Sequence, residues 1–408
     1  MIGPSRPKRP LARRFLRVTA LGVAALLAFA ACSGTPGAST PAGASPDAGA
    51  SASTGTEACA DPQAALDALA TTVVSTGPNG EIPVPASELS LTDEEITKVK
   101  GMNATAAIVM HYGGNDWSQA QIDGQQTRFA ELGIKVLAVT DANFDAPTQV
   151  SDIETVLAQN PDIIVSIPTD GVATAPAYQK AADAGVKIVF IGNVPAGWKD
   201  QKGYVSVVGA DDAGNGVASA HLLAKAINCE GKVGLVFHQA DFFVTKQRYD
   251  AVKKTLAESY PNIEIVDEQG IGGPDFTGDA EKVASAMLTQ NPDLKGIWAV
   301  WDVPAEGVMA AARANGRNDL VISTIDLGLN VAVDLAKSDG LIKGVGAQTP
   351  YDQGVAEATL AAYALLGKEA PAAVALGALP VTRENVLEAW ETVYKVPPPD
   401  ALAKAAGQ

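Results

Sequence analysis

A chain of 408 residues with 47% hydrophobic and 19% charged side chains is apolar enough to fold and too long for a single core. Its 46 acidic residues against 30 basic ones give a formal charge of −16, which opposes contact with phosphate backbones and anionic headgroups, so no nucleic-acid partner is expected. With 3 cysteines and 3 histidines, little material is left for a metal centre.

At the amino end Arg6, Lys8, Arg9, Arg13, Arg14 and Arg17 precede an uncharged run, 18–31, too short to span a bilayer and closed by Ala30 and Ala31 before Cys32. Residues 1–31 read as a lipoprotein signal peptide, and Cys32 as the lipidated residue holding the mature chain to a membrane, at the cell surface or in the periplasm. Phe29 is unusual at the outer position of such a cleavage site. Arg13-Arg14-Phe15-Leu16 is similar to a twin-arginine signal without its spacer, so the general and the twin-arginine export routes both stand open. Residues 32–56 are almost entirely Ser, Gly, Ala, Thr and Pro, a flexible tether that cannot bury enough apolar surface to fold. Without the six basic residues of the signal, 46 acidic side chains face 24 basic ones, a formal charge of −22. Cys59 and Cys229 then sit in an oxidising compartment, where they either pair or remain separate thiols.

After a lead-in, 57–102, apolar β-branched runs recur at 104–110, 134–140, 163–167 and 186–191, separated by stretches of helical period such as 117–132. A second series runs through 232–237, 263–266, 296–300, 320–324 and 342–346. Continuous apolar strands alternating with helices predict parallel sheets, hence an α/β chain of two doubly wound, Rossmann-like lobes. Lobe 1 is expected at 103–209 and 349–371, lobe 2 at 210–348 and 372–396, with a tail at 397–408 and a hinge of three crossings. At the first crossing Asp211 or Asp212 caps a helix beginning near Ala213. Gly214-Asn215-Gly216 there is followed by Ser219 instead of a third glycine, and the two carboxylates would repel a pyrophosphate, so no dinucleotide cofactor is expected.

Catalytic signals are weak throughout. His111, His221 and His238 lack partners at metal-ligand spacing, and no nucleophile elbow or phosphate loop is present. The stretch 141–145 is similar to the opening of a calcium loop, but Ala146 takes the glycine position and Asp152 the twelfth, so it reads as a strand-to-helix turn. Neither enzymatic chemistry nor a metal nor a cofactor is expected.

Several motifs fall in order at the expected elements: Gly114-Asn115-Asp116-Trp117 after the first strand, 162–170 with its Ile167-Pro168-Thr169-Asp170 turn, Arg248 heading a helix, Pro292-Asp293 before 296–302, Ile325-Asp326 at a strand end, and Gln348-Thr349-Pro350-Tyr351-Asp352-Gln353. With these, residues 103–386 resemble the ribose-type periplasmic binding proteins, of the type I fold. The resemblance implies a monomeric, extracytoplasmic solute-binding protein that closes two lobes on a small sugar or polyol and delivers it to an ABC permease. A ligand-sensing ectodomain partner of a membrane receptor, or a binder of a non-carbohydrate polar ligand, would use the same fold. The implied ligand contacts are Asn115, Trp117, Asn193, Arg248, Phe276, Trp301, Asp326 and Gln348. The chemistry of a sugar agrees, since its C–H faces want flat aromatic walls, here Trp117 and Phe276, and its hydroxyls want planar donors and acceptors. Neither Arg248 nor Asp326 is expected to need its charge for packing. Where ribose binders carry an Asp-Arg pair this chain has Gly192-Asn193. It also has Ile167 and Trp301 at two Asn positions and Ser118 at an aromatic one, exchanges that point to a smaller or acyclic ligand or an altered pose.

Overall fold

The computed structural model describes residues 59–69 and 72–407, so the expected signal peptide, Cys32 and the whole of the tether lie outside the described residues. From the amino end come α1 (Pro62–Leu69), β1 (Val84–Pro85) and α2 (Asp93–Gly101). The first series is β2 (Thr105–Met110), α3 (Asp116–Glu131), β3 (Lys135–Asp141), α4 (Ala146–Leu157), β4 (Ile163–Ser166), α5 (Ala175–Asp183), β5 (Lys187–Ile191) and β6 (Ser206–Ala210). The second is α6 (Asp212–Ala226), β7 (Gly231–His238), α7 (Phe243–Ser259), β8 (Ile263–Ile271), α8 (Phe276–Gln290), β9 (Leu294–Ala299), α9 (Asp302–Ala314), β10 (Val321–Ile325), α10 (Leu329–Ala336) and β11 (Ile342–Ala347). The chain returns through α11 (Pro350–Leu366), β12 (Ala373–Leu376), β13 (Leu379–Val381), α12 (Val386–Tyr394) and α13 (Asp400–Ala405).

Two sheets result, in strand orders β1-β12-β6-β5-β4-β2-β3 and β13-β11-β10-β9-β7-β8. Every pairing is parallel except that of β13 with β11, an antiparallel edge. Strand β2 shows why the runs are apolar without alternation. Ala106, Ile108 and Met110 enter one buried cluster while Ala107 and Val109 enter another on the opposite face. Helices cover both faces, so every residue from Ala106 to Met110 is inside. The second sheet and its helices share one large core around Trp298, whose Nε1 donates to Ser219 at 2.9 Å.

The lobes exchange chain at Ala210–Asp212, at Gln348–Thr349 and between β12 and β13. The last crossing falls later than the 371/372 boundary read from the sequence. The β12 segment pairs with β6 along Val207–Ala210 and so belongs to the first lobe up to Leu376. Its short run, Ala373–Leu376, gives no periodicity by which to assign it to either sheet.

The lead-in adds a fourth connection. Helix α1 packs Leu66 and Leu69 on Ala218 and Leu222 of α6, and Cys59 is disulfide-bonded to Cys229 just beyond that helix. The chain then passes the hinge, where the Asp211 carboxylate accepts from the N–H groups of Val74 at 3.0 Å, Ser75 at 2.8 Å and Gly214 at 2.9 Å. It ends as β1 on the edge of the first sheet. Asp211 is thus the cap of α6 and also the clasp of this strap, which leaves Asp212 for other work.

Candidate functional site

A cavity of about 670 Å³, counting its open mouth, lies where the carboxyl ends of both sheets face each other. In open parallel sheets this is where loops diverge and side chains converge. Strand β2 leads into His111 and Asn115, β4 into Ile167 and β5 into Gly192; across the cleft β7 ends in His238, β10 leads into Asp326 and β11 into Gln348. The lobes touch around it. Asp116 accepts from the N–H of Leu329 at 2.8 Å, giving α10 the N-terminal cap that its own Gly328 cannot supply, and Lys395 pairs with Asp352 at 2.7 Å.

Arg248, from α7, is buried between two carboxylates of its own lobe. Its Nε donates to Asp212 at 2.8 Å and its Nη1 to Asp326 at 3.2 Å. Asp326 also accepts from Gln348 Nε2 at 2.7 Å, and Gln348 Oε1 accepts from Gln353 Nε2 at 3.1 Å. Burial disfavours the charge on Arg248, but the neighbouring Asp326 and Asp212 outweigh it and hold the guanidinium protonated. Burial likewise pushes Asp212 up to about 6 against the pull of Arg248. Asp302 lies behind Asp326, and burial together with that neighbour's charge raises its carboxyl well above the usual range. The expectation that Arg248 and Asp326 carry no packing role is therefore corrected. Each is the partner of a buried charge, and removing one strands the other.

Aromatic rings make most of the remaining lining. Trp117 stands edge-on to His111 at 6.2 Å, Phe144 lies 4.9 Å from His111, and Phe242 stacks with His111 at 5.9 Å. Both histidines are neutral. Burial drives His111 down to about 3, helped by His238, and His238 down to about 4, helped by Arg248. Thr245 donates its hydroxyl to the carbonyl of Phe242, so at 3.2 Å it accepts from His238 Nδ1, leaving Nε2 of His238 as an acceptor. Among the side chains that line the cavity, His111 Nδ1 and Trp117 Nε1 are buried without partners among the described residues. Such orphans are costly unless a ligand completes them.

Of the eight contacts read from the sequence, Asn115, Trp117, Arg248, Trp301, Asp326 and Gln348 line this cavity. Phe276 does not. It packs behind the lining, edge-on to Trp301 at 4.9 Å and Phe144 at 5.1 Å, and those two rings take the wall position assigned to it. Asn193 is also off the cavity, only 5% exposed with both side-chain polar atoms unpartnered, because Gly192 at φ +60° turns the chain so that Gly192 itself faces the cleft. Lining residues missed in the sequence include Asp212, His111, His238, Phe144 and Phe242. Asp212 carried a signal, since one carboxylate suffices to cap a helix and two stood there. Phe144 belongs to the 141–145 turn, where Asp145 caps α4 through Thr148 N–H at 2.9 Å. Asn143 at φ +47° and Phe144 at φ +60° occupy the left-handed region, a strained conformation that swings the ring into the cleft.

Residues 106–369 match the periplasmic binding protein domain. The chain belongs to that family. Membership makes it an extracytoplasmic binding protein and not an enzyme. Among similar proteins, the D-ribose/D-allose-binding protein of Pseudomonas aeruginosa is 29% identical over 216 residues, 52% of this chain and 66% of that one. The D-apiose import binding protein of Actinobacillus succinogenes is 26% identical over 275 residues, 66% of this chain and 84% of that one. A crystal structure of an ABC transporter solute-binding protein from Actinobacillus succinogenes with bound D-allose superposes with a TM-score of 0.62 at 26% identity, covering 69% of this chain and 99% of that one. In this periplasmic binding protein, residues 59–102, which hold the disulfide-linked strap, precede the matched domain.

Proposed function

We propose that the protein is the solute receptor of an ABC importer, binding one small neutral sugar or polyol in the interlobe cleft and presenting the closed form to a permease. The observation that carries this reading is the buried chain Asp212–Arg248–Asp326–Gln348 at strand ends, opposite Trp117 and the orphaned Nδ1 of His111. Charged and amide groups held rigid by one another offer fixed positions for hydroxyls, and the rings offer flat surface for C–H faces. Asn115, Trp301 and Gln348 would complete the contacts. D-ribose, D-allose and D-apiose, named for similar proteins, are all compact polyhydroxylated molecules, which supports the class. Cys32 would carry the lipid anchor, with the Ser/Gly/Ala/Thr/Pro segment behind it as a tether.

A thermal-shift screen of the mature chain against polyols, aldoses, ketoses and small amides tests the class. Stabilisation by neutral polyhydroxy compounds is expected, since a ligand at 100 times its Kd adds about 2.7 kcal/mol to the folded state. Stabilisation by amides or amino acids alone would replace the carbohydrate reading. For the anchor, Cys32→Ser is expected to release the protein from membranes with unchanged ligand affinity.

A further inference from the structure

The three charged side chains that line the cavity, Asp212, Arg248 and Asp326, all belong to the second lobe. The first lobe offers none. At the ends of β4 and β5 it presents Ile167, Ile191 and Gly192, with Val244 and Phe242 closing from across the cleft. The fit there is tight, for a Cβ added at Gly192 would stand 2.7 Å from Val244 Cγ1. No polar side chain replaces the missing groups, because Asn193 is turned into the interior.

Charged hydrogen-bonding capacity is correspondingly one-sided. Arg248 Nη2 has no partner among the described residues, and the carboxylates of Asp212 and Asp326 stand beside it. On the first lobe the polar lining, Tyr112, Asn115, Ser118 and Gln353 with the orphaned Trp117 Nε1 and His111 Nδ1, comes from the β2–α3 connection, α3 and α11, and none of it from the ends of β4 and β5. A hexopyranose carries oxygens around its whole rim. Bound here, those facing Ile167, Ile191 and Val244 would be buried without partners, each lowering affinity about tenfold or more. A hydrocarbon group in the same place would displace water from apolar surface and gain affinity.

We propose that the ligand is a neutral monosaccharide or polyol with its hydroxyls gathered on one edge, against Arg248, Asp212 and Asp326, and a hydrocarbon or thioether substituent on the other, against Ile167, Ile191 and Val244. This inference rests on the reading of the cleft as a polyhydroxyl site. It names a deoxy, alkyl or alkylthio sugar where the reading alone admits any sugar. Anionic sugars are disfavoured, because two carboxylates face one guanidinium.

Calorimetric titration of the mature chain with matched pairs tests it: D-ribose against 5-deoxy-5-methylthio-D-ribose, D-galactose against 6-deoxy-D-galactose, and D-xylose against methyl xyloside. In at least one pair the substituted member is expected to bind tenfold or more tighter than its parent. Ile167→Asn, which sets an amide into the apolar wall, is expected to reduce that ratio at least fivefold. Parents that bind as tightly as their substituted partners in every pair where binding is seen would overturn the inference and leave the carbohydrate reading standing. Failure of all six compounds to bind, with tight binding of an amide or amino acid in the same assay, would overturn both. The wild-type comparison decides the question even where the variant folds poorly.

Discussion

The two walls of the cleft are built at equivalent places, the carboxyl ends of parallel strands, yet one carries every charged side chain that lines the cavity and the other carries none. The second lobe holds Asp212, Arg248 and Asp326 in a network of 2.7 to 3.2 Å contacts. The first lobe answers with rings, aliphatic groups and the neutral side chains of Asn115, Ser118 and Gln353, its charged Asp116 spent on capping a helix of the opposite lobe. The difference teaches a division of labour. Charged recognition resides in one rigid wall, and the second wall contributes neutral hydrogen-bonding groups such as Asn115, surface area and exclusion of water, which strengthens the polar contacts opposite.

Removing the charge from the second wall should have the largest effect. Arg248→Ala leaves Asp212 and Asp326 buried without their cation, so unfolding free energy is expected to fall by about 3 to 5 kcal/mol, along with loss of ligand binding. A variant that melts like the parent would mean the network is solvated and the walls are more alike than they look. Cys229→Ser provides a contrast outside the cleft. Loss of the Cys59–Cys229 bond is expected to lower stability by about 2 to 4 kcal/mol, with affinity unchanged, because the strap ties lobe to lobe behind the hinge. Denaturant unfolding with and without reductant reads it directly.

The first wall is probed by smaller changes. Trp117→Ala is expected to weaken binding by about 1 to 2 kcal/mol through lost stacking, with its effect concentrated on the dissociation rate. Acid should erode the neutrality of both walls. The unfolded chain protonates its histidines near 6.5, whereas folded His238 waits until about 4 and His111 until about 3. Between about 6.5 and 4 the unfolded state therefore binds more protons, and stability falls as pH falls, by up to about 1.4 kcal/mol per unit for each histidine. Asp212, held up to about 6, acts in the opposite sense from that value down to its ordinary range and offsets part of the loss. His238→Asn should flatten the profile in that window. Asp116→Ala, which removes the cross-lobe cap of α10, is expected to cost about 1 kcal/mol of affinity by calorimetric titration.

The architecture was legible in the sequence because buried parallel strands write themselves as unbroken apolar runs, as β2 does with Ala106–Met110 inside on both faces. The strap was not, since β1 is two residues long and its placement depends on Asp211 reaching back to Val74 and Ser75 across 137 and 136 positions. In the site, charged and amide groups at strand ends were readable because such groups have few other reasons to stand there. Aromatic residues were harder, for a ring serves a core and a cleft equally well. Phe276 went to the back of the wall, and Phe144 came forward through a left-handed turn that no local pattern announces. Asn193 failed for a similar reason, its direction being set by the φ of Gly192 and not by its own chemistry.

The most direct test of the account is calorimetric titration of the mature chain and of Asp326→Asn with the best neutral polyhydroxy compound from the screen. Asparagine keeps the shape and the contact with Gln348 while removing the acceptor charge beside Arg248. The prediction is one molecule bound per chain to the parent, with affinity at least tenfold lower in the variant while its ligand-free fold persists. Equal affinity in the two proteins, or a stoichiometry other than one, would contradict a binding site built on the charged wall of the cleft.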